Sequence, residues 1–171
     1  MLSGYGELVK SGLKEMAVVD FWKTGLHEAH PDLFPLLDKV SSSRKYDLIH
    51  FNIGLHGWPK GRVDEDKYVE LMSEYVDILK RNNPDATLVW SMTTPVLLKD
   101  TVALDPDINP IIVRRNKKAG QVMQSKGVHI IDLYSIMLPH CEYTRGDGFH
   151  WKKEGQEIQA RAILMKLREE L

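Results

Sequence analysis

The sequence predicts an α/β sandwich, with helices on both sides of a mostly parallel sheet. Three observations carry that expectation. Segments of helical and strand character alternate as α-β-α-β-α-β-α-β-α. The strand segments are apolar on both faces, as two covering layers require. The chain has 171 residues and 43% hydrophobic content, which suits a single domain over residues 1–171. A chain near this size buries roughly 70% of the surface its unfolded form exposes, so a core needs no staples.

The elements follow in order. Glu7 to Met16 reads as a helix, with Leu8, Val9, Leu13 and Met16 as its apolar positions. Ala17 to Phe21 reads as a strand. Pro31 to Val40 reads as a short helix with Pro31 in its first turn. Tyr46 to Ile53 reads as a buried strand ending at Gly54. Asp64 is placed to cap the next helix, in which Tyr68, Leu71, Met72, Tyr75, Val76 and Leu79 form one stripe. Asn82-Asn83-Pro84 stops it. Thr87 to Met92 is a strand rich in β-branched and aromatic residues. Pro110 to Gln124 reads as a helix interrupted by Gly120. Val128 to Asp132 is a strand, and Lys153 to Leu171 a final helix.

Composition excludes several functions. Lysine plus arginine number 23 against 24 acidic residues, a formal net charge of −1, so no basic face for nucleic acid is expected. Cys141 is the only cysteine, which rules out an intrachain disulfide and a cysteine zinc site. No apolar run is long enough to span a membrane, and Met1 to Lys10 does not read as a signal peptide. As given, the chain reads as cytoplasmic, with export left open because a fuller N-terminus can carry a signal.

Ligands in parallel α/β sheets bind beyond the carboxyl ends of strands. That directs attention to Trp22–His30, Gly54–Lys60, Thr93–Asn109 and Tyr134–Trp151. In Arg145-Gly146-Asp147-Gly148-Phe149-His150-Trp151, two glycines make a loop before the last helix. Asp147 can accept from one nitrogen of His150, leaving the other to act as a base toward a hydroxyl. The same pair also suits a turn aspartate and a helix-start histidine. In Phe51-Asn52-Ile53-Gly54-Leu55-His56-Gly57-Trp58, His56 can donate to a developing oxyanion and Gly54 permits close backbone approach. A histidine closing a strand-end turn fits equally. Lys23-Thr24-Gly25 can present the Gly25 amide, although Thr-Gly is an ordinary turn pair. Trp58 and Trp151 flank the expected cleft and suit either sugar stacking or a lid on the core.

Taken together, these segments resemble the SGNH (GDSL-type) hydrolases, single-domain α/β esterases with a flavodoxin-like sheet. The family's last block, Asp-x-x-His before a C-terminal helix, is matched by Asp147-Gly148-Phe149-His150. Its Gly-x-Asn-Asp block is similar to Gly54-Leu55-His56-Gly57, with His56 for the Asn and Gly57 for the Asp. Members with that histidine often read His-Phe-Asn-x-Gly-Leu-His-Asp, close to His50 through His56. The second block's glycine is similar to Gly25. The resemblance covers roughly Gly4 to Leu171 and implies an ester hydrolase, on a carbohydrate O-acetyl group for example. In that reading His150 is the base, Asp147 orients it, and Gly25, Gly54 and His56 stabilise the oxyanion. Asn52, Trp58 and Trp151 would touch substrate, and no cofactor is needed. A metal-dependent alternative on His56, Asp147 and His150 has no His-x-x-x-His or Glu-x-x-His pattern behind it, so no metal is expected. His27 and His30 are three apart, but Pro31 follows at once.

The front departs from the family, which opens with a central strand running into Gly-Asp-Ser, whose serine is the nucleophile. Here Gly4-Tyr5-Gly6 leads directly into the first helix, preceded only by Met1, Leu2 and Ser3. The resemblance thus implies an N-terminally truncated member, its first strand missing, with Ser3 as a surrogate nucleophile and turnover weak or absent. Losing a central strand leaves backbone groups unpaired. The expected responses are closure of the second strand onto the third, a partner that covers the edge, or a fragment of a longer enzyme. The alternative function is a non-catalytic binding or assembly module, a homo-oligomer through the exposed sheet edge.

Overall fold

The computed structural model describes residues 4–59 and 62–171. Helix α1 spans Tyr5–Leu13 and α2 Leu33–Ser41; strand β1 is Leu48–Phe51. Helix α3 (Tyr68–Asn82) leads to β2 (Thr87–Ser91), and α4 (Asn109–Ser125) leads to β3 (His129–Ile131). A short α5, Leu133–Met137, precedes the closing α6, Lys153–Glu170. No helix among the described residues is long and apolar enough to cross a membrane.

The sheet runs β1-β2-β3, all parallel. Leu48 stands opposite Thr87 and Phe51 opposite Trp90; on the other side Val89 pairs with His129 and Ser91 with Ile131. Side chains alternate along β2 and so divide the core. Leu88 and Trp90 face one layer, where α2, α3 and α4 supply Leu37, Met72, Val76 and Met123. Val89 faces the other, where α1 and α6 supply Val9, Leu13, Ile163 and Leu167. The result is the three-layer α/β sandwich.

Several expectations change. Ala17–Phe21 carries strand residues but forms neither strand nor helix. A strand exists only against a neighbour's row of N–H and C=O groups, and this segment pairs with none among the described residues. Val19 leans on the α1/α6 layer, while Val18 is 94% exposed. The sheet therefore does not close by placing this segment on β1. That outer edge opens instead into a cavity of about 670 Å³, whose walls come from both helix layers and include Tyr5 and Leu37. β1 is also shorter than the expected Tyr46–Ile53, spanning Leu48–Phe51. Asp64 does not cap α3; its Oδ1 accepts from the Asp66 amide (2.9 Å) in a turn before the helix starts. Helix α4 continues through Gly120, buried against neighbours. The Ser3 expectation falls outside the described residues.

Candidate active site

The loop before α6 is built by its backbone. Thr144 and Trp151 form an antiparallel bridge, and Arg145 N donates to His150 O (2.8 Å). Gly148 adopts φ +85°, a conformation other residues rarely adopt, and a Cβ there would fall 2.4 Å from Leu97 O. Leu97 N donates to Gly148 O (2.9 Å), which fastens the loop to the segment after β2.

Within this frame Asp147 Oδ1 accepts from the amides of Phe149 and His150, both at 2.8 Å. Its Oδ2 lies 2.6 Å from His150 Nδ1. Burial alone would raise the Asp147 carboxyl, but the two amides and the His150 ring hold it below its ordinary value. A carboxylate fixed in this way selects the Nδ1–H tautomer and leaves Nε2 as the basic nitrogen. Both residues keep part of their side chains in solvent. His150 lines the cavity.

The second component follows β1. Gly54 takes φ +147°, and a Cβ there would meet Thr93 Oγ1 at 2.9 Å. This reversal starts a single 3-10 turn, Leu55–Gly57, and carries His56 to the cavity wall. Arg62 Nη1 donates to His56 O (2.9 Å). Burial, reinforced by surrounding positive charge, lowers the His56 pKa. A neutral imidazole is thereby favoured, and its N–H can donate to a developing oxyanion without carrying charge itself.

The other expected residues divide. Asn52 lines the cavity, but its amide already donates to Ser91 O (2.8 Å) and ties the end of β1 to β2. Gly25 is exposed, and a Cβ there would meet nothing within 4 Å. Its neighbours Thr24 and Leu26 line the cavity, and Thr24 Oγ1 accepts from Leu26 N (3.1 Å). Trp151 is 3% exposed, donates from Nε1 to Thr94 Oγ1 (3.2 Å), and also lines the cavity beside His150. Trp58 stacks on Phe149, with ring centroids 6.1 Å apart and planes 20° from parallel.

Phe149 and Glu28 were not singled out from the sequence. Phe149 joins the histidine loop to the His56 turn, and its place between Asp147 and His150 was the available signal. Glu28 is buried beneath the His56 turn; nothing in the one-dimensional pattern marks a glutamate as buried. No group of three or more histidine, cysteine or acidic side chains suited to a metal occurs among the described residues.

A parallel sheet under two helix layers is the fold of SGNH-type α/β hydrolases. Solved structures agree. An acetylxylan esterase from Geobacillus stearothermophilus superimposes with a TM-score of 0.77 at 17% identity, covering 96% of this chain and 81% of that one. A carbohydrate esterase family 3 enzyme from Talaromyces cellulolyticus gives 0.75 at 15% identity, covering 96% and 89%. An α/β hydrolase from the metagenome of Lake Arreo, Spain, gives 0.77 at 15%, covering 95% and 80%. No family model and no curated protein matches the sequence.

Proposed function

We propose that the chain is an SGNH-type ester hydrolase acting on a small ester, with carbohydrate O-acetyl groups as the first class to test. The observation that carries this reading is the 2.6 Å contact between His150 Nδ1 and Asp147 Oδ2 on the wall of the cavity that also holds Gly54 and His56. His150 Nε2 would take the proton from an attacking hydroxyl and return it to the leaving alcohol. Asp147 keeps the tautomer. His56 and the backbone at Gly54, with Gly25 in the same role, would steady the oxyanion, while Trp58 and Asn52 border the substrate. That solved structures of the same fold include esterases supports this chemistry. The 171 residues contain no Gly-Asp-Ser, so Ser3 is the candidate hydroxyl and turnover is expected to be weak.

The experiment is hydrolysis of p-nitrophenyl acetate and acetylated xylo-oligosaccharide by the wild type, Ser3→Ala and His150→Ala. Loss of about 10²–10⁴ in rate with His150→Ala is expected. Activity indifferent to His150 would refute the assignment, and activity indifferent to Ser3 would remove that residue from it. A second reading, a non-catalytic module assembling through the sheet edge, is favoured by the outer edge of β1, which pairs with no other strand among the described residues. It predicts no turnover and a concentration-dependent oligomer by light scattering; a stable monomer at all concentrations counts against it.

A further inference from the structure

Glu28 is 1% exposed. Apart from its own amide, its carboxyl oxygens have no hydrogen-bond partner among the described residues. Burial pushes its pKa up, and an unpaired carboxyl in such a place costs free energy that an apolar side chain would not. Packing alone therefore does not account for a glutamate here.

Its surroundings point to the turn above it. A Cβ added to Gly57 would fall 2.1 Å from Glu28 Oε2 and 3.0 Å from Arg115 Nη1. Gly57 thus packs against both the carboxyl and the guanidinium. Arg115 cannot withdraw. Its Nε is held by Glu65 at 2.6 Å, its Nη2 donates to Val63 O (3.3 Å), and its guanidinium lies 4.9 Å over the Tyr68 ring. At the other end of the turn, a Cβ on Gly54 would come within 3.9 Å of Glu28 Oε1 and 3.7 Å of the Tyr68 hydroxyl. The same carboxyl underlies both glycines that bracket His56.

We infer that Glu28 is a positioning residue: with Arg115 it clamps the Gly54–Gly57 turn and fixes the His56 ring toward the cavity it shares with His150. The inference rests on the esterase reading for its kinetic consequence, but not for its structural one. Without the clamp, the turn can relax and His56 loses its fixed aim, so interactions formed only in the transition state weaken more than substrate binding.

The test compares wild type, Glu28→Ala and Glu28→Gln by p-nitrophenyl acetate kinetics, thermal melting and the His56 Cε1–Hε1 NMR signal. Glu28→Ala should lower kcat at least tenfold with KM within twofold, and should shift or broaden the His56 signal. Glu28→Gln, of the same shape, should recover most of both. A lowered melting temperature with unchanged kcat, KM and His56 signal would overturn the inference, because a merely structural residue behaves that way. If the wild type hydrolyses no ester, the esterase reading fails, and the His56 signal still decides whether Glu28 positions the ring. Should Glu28→Ala not fold, Glu28→Asp takes its place. It retracts the carboxyl by one methylene, and wild-type kcat with an unmoved His56 signal would again overturn the inference.

Discussion

Strands β1 and β2 are both short and rich in apolar residues, yet they live in different surroundings. β2 is paired on both edges and covered on both faces; four of its five residues, Leu88 to Ser91, are buried. Among the described residues β1 is paired only with β2, and of its four residues only Phe51 is buried. Its other side opens into the cavity. Neighbours rather than composition decide how firmly a strand is held, and the candidate site lies where the sheet passes from the closed side to the open one.

The largest difference should appear in truncations. Leu88→Ala, in the closed layer, should cost about 2–5 kcal/mol by urea denaturation. Ile49→Ala, half-buried on β1, should cost less than half as much. Equal costs would show that the open edge is covered in solution.

A pH scan sharpens the same contrast through His50. The half-buried His50 ring contacts Ser91 Oγ at 2.7 Å, and its partial removal from water lowers its pKa to about 4. The unfolded chain takes up this proton near its ordinary value of about 6.5. Stability is therefore full above about 6.5 and falls as pH drops toward 4, by up to about 3 kcal/mol. His50→Gln should flatten that slope, and an unchanged slope would place the pH dependence elsewhere.

Asp147 gives a smaller effect at lower pH. Its folded carboxyl is held below its ordinary value, so its contribution is present above about pH 4 and lost as pH falls through the folded value. Asp147→Asn should remove that loss and also weaken ester hydrolysis, because the His150 tautomer is no longer fixed. The smallest effect belongs to Arg44, which reaches Asp20 at 2.9 Å on the open side. Arg44→Ala should cost no more than about 1 kcal/mol by thermal melting.

Much of the site was legible because it is local. Asp147 and His150 are three residues apart on a loop that two glycines define, and Gly54-Leu55-His56 follows directly from a strand. The less local features were harder to read. Trp151 and Trp58 look alike in sequence, but one is buried and hydrogen-bonded to Thr94 while the other stacks on Phe149. Ala17–Phe21 has strand composition, yet strand formation depends on a partner edge that composition does not report. Glu28 reads as a surface glutamate because charge usually stays in water; the Gly54–Gly57 turn, with Arg115 nearby, covers the carboxyl.

The sequence by itself determined the layer architecture and the Asp147–His150 pair. Periodicity and short spacings are local properties that physics translates directly into elements and turns. The tertiary structure alone decided that Ala17–Phe21 stays out of the sheet, that β1 lines a cavity on its outer side and that Glu28 lies beneath the His56 turn. Each of these depends on which distant segments arrive at one place, and burial and strand pairing exist only after they do.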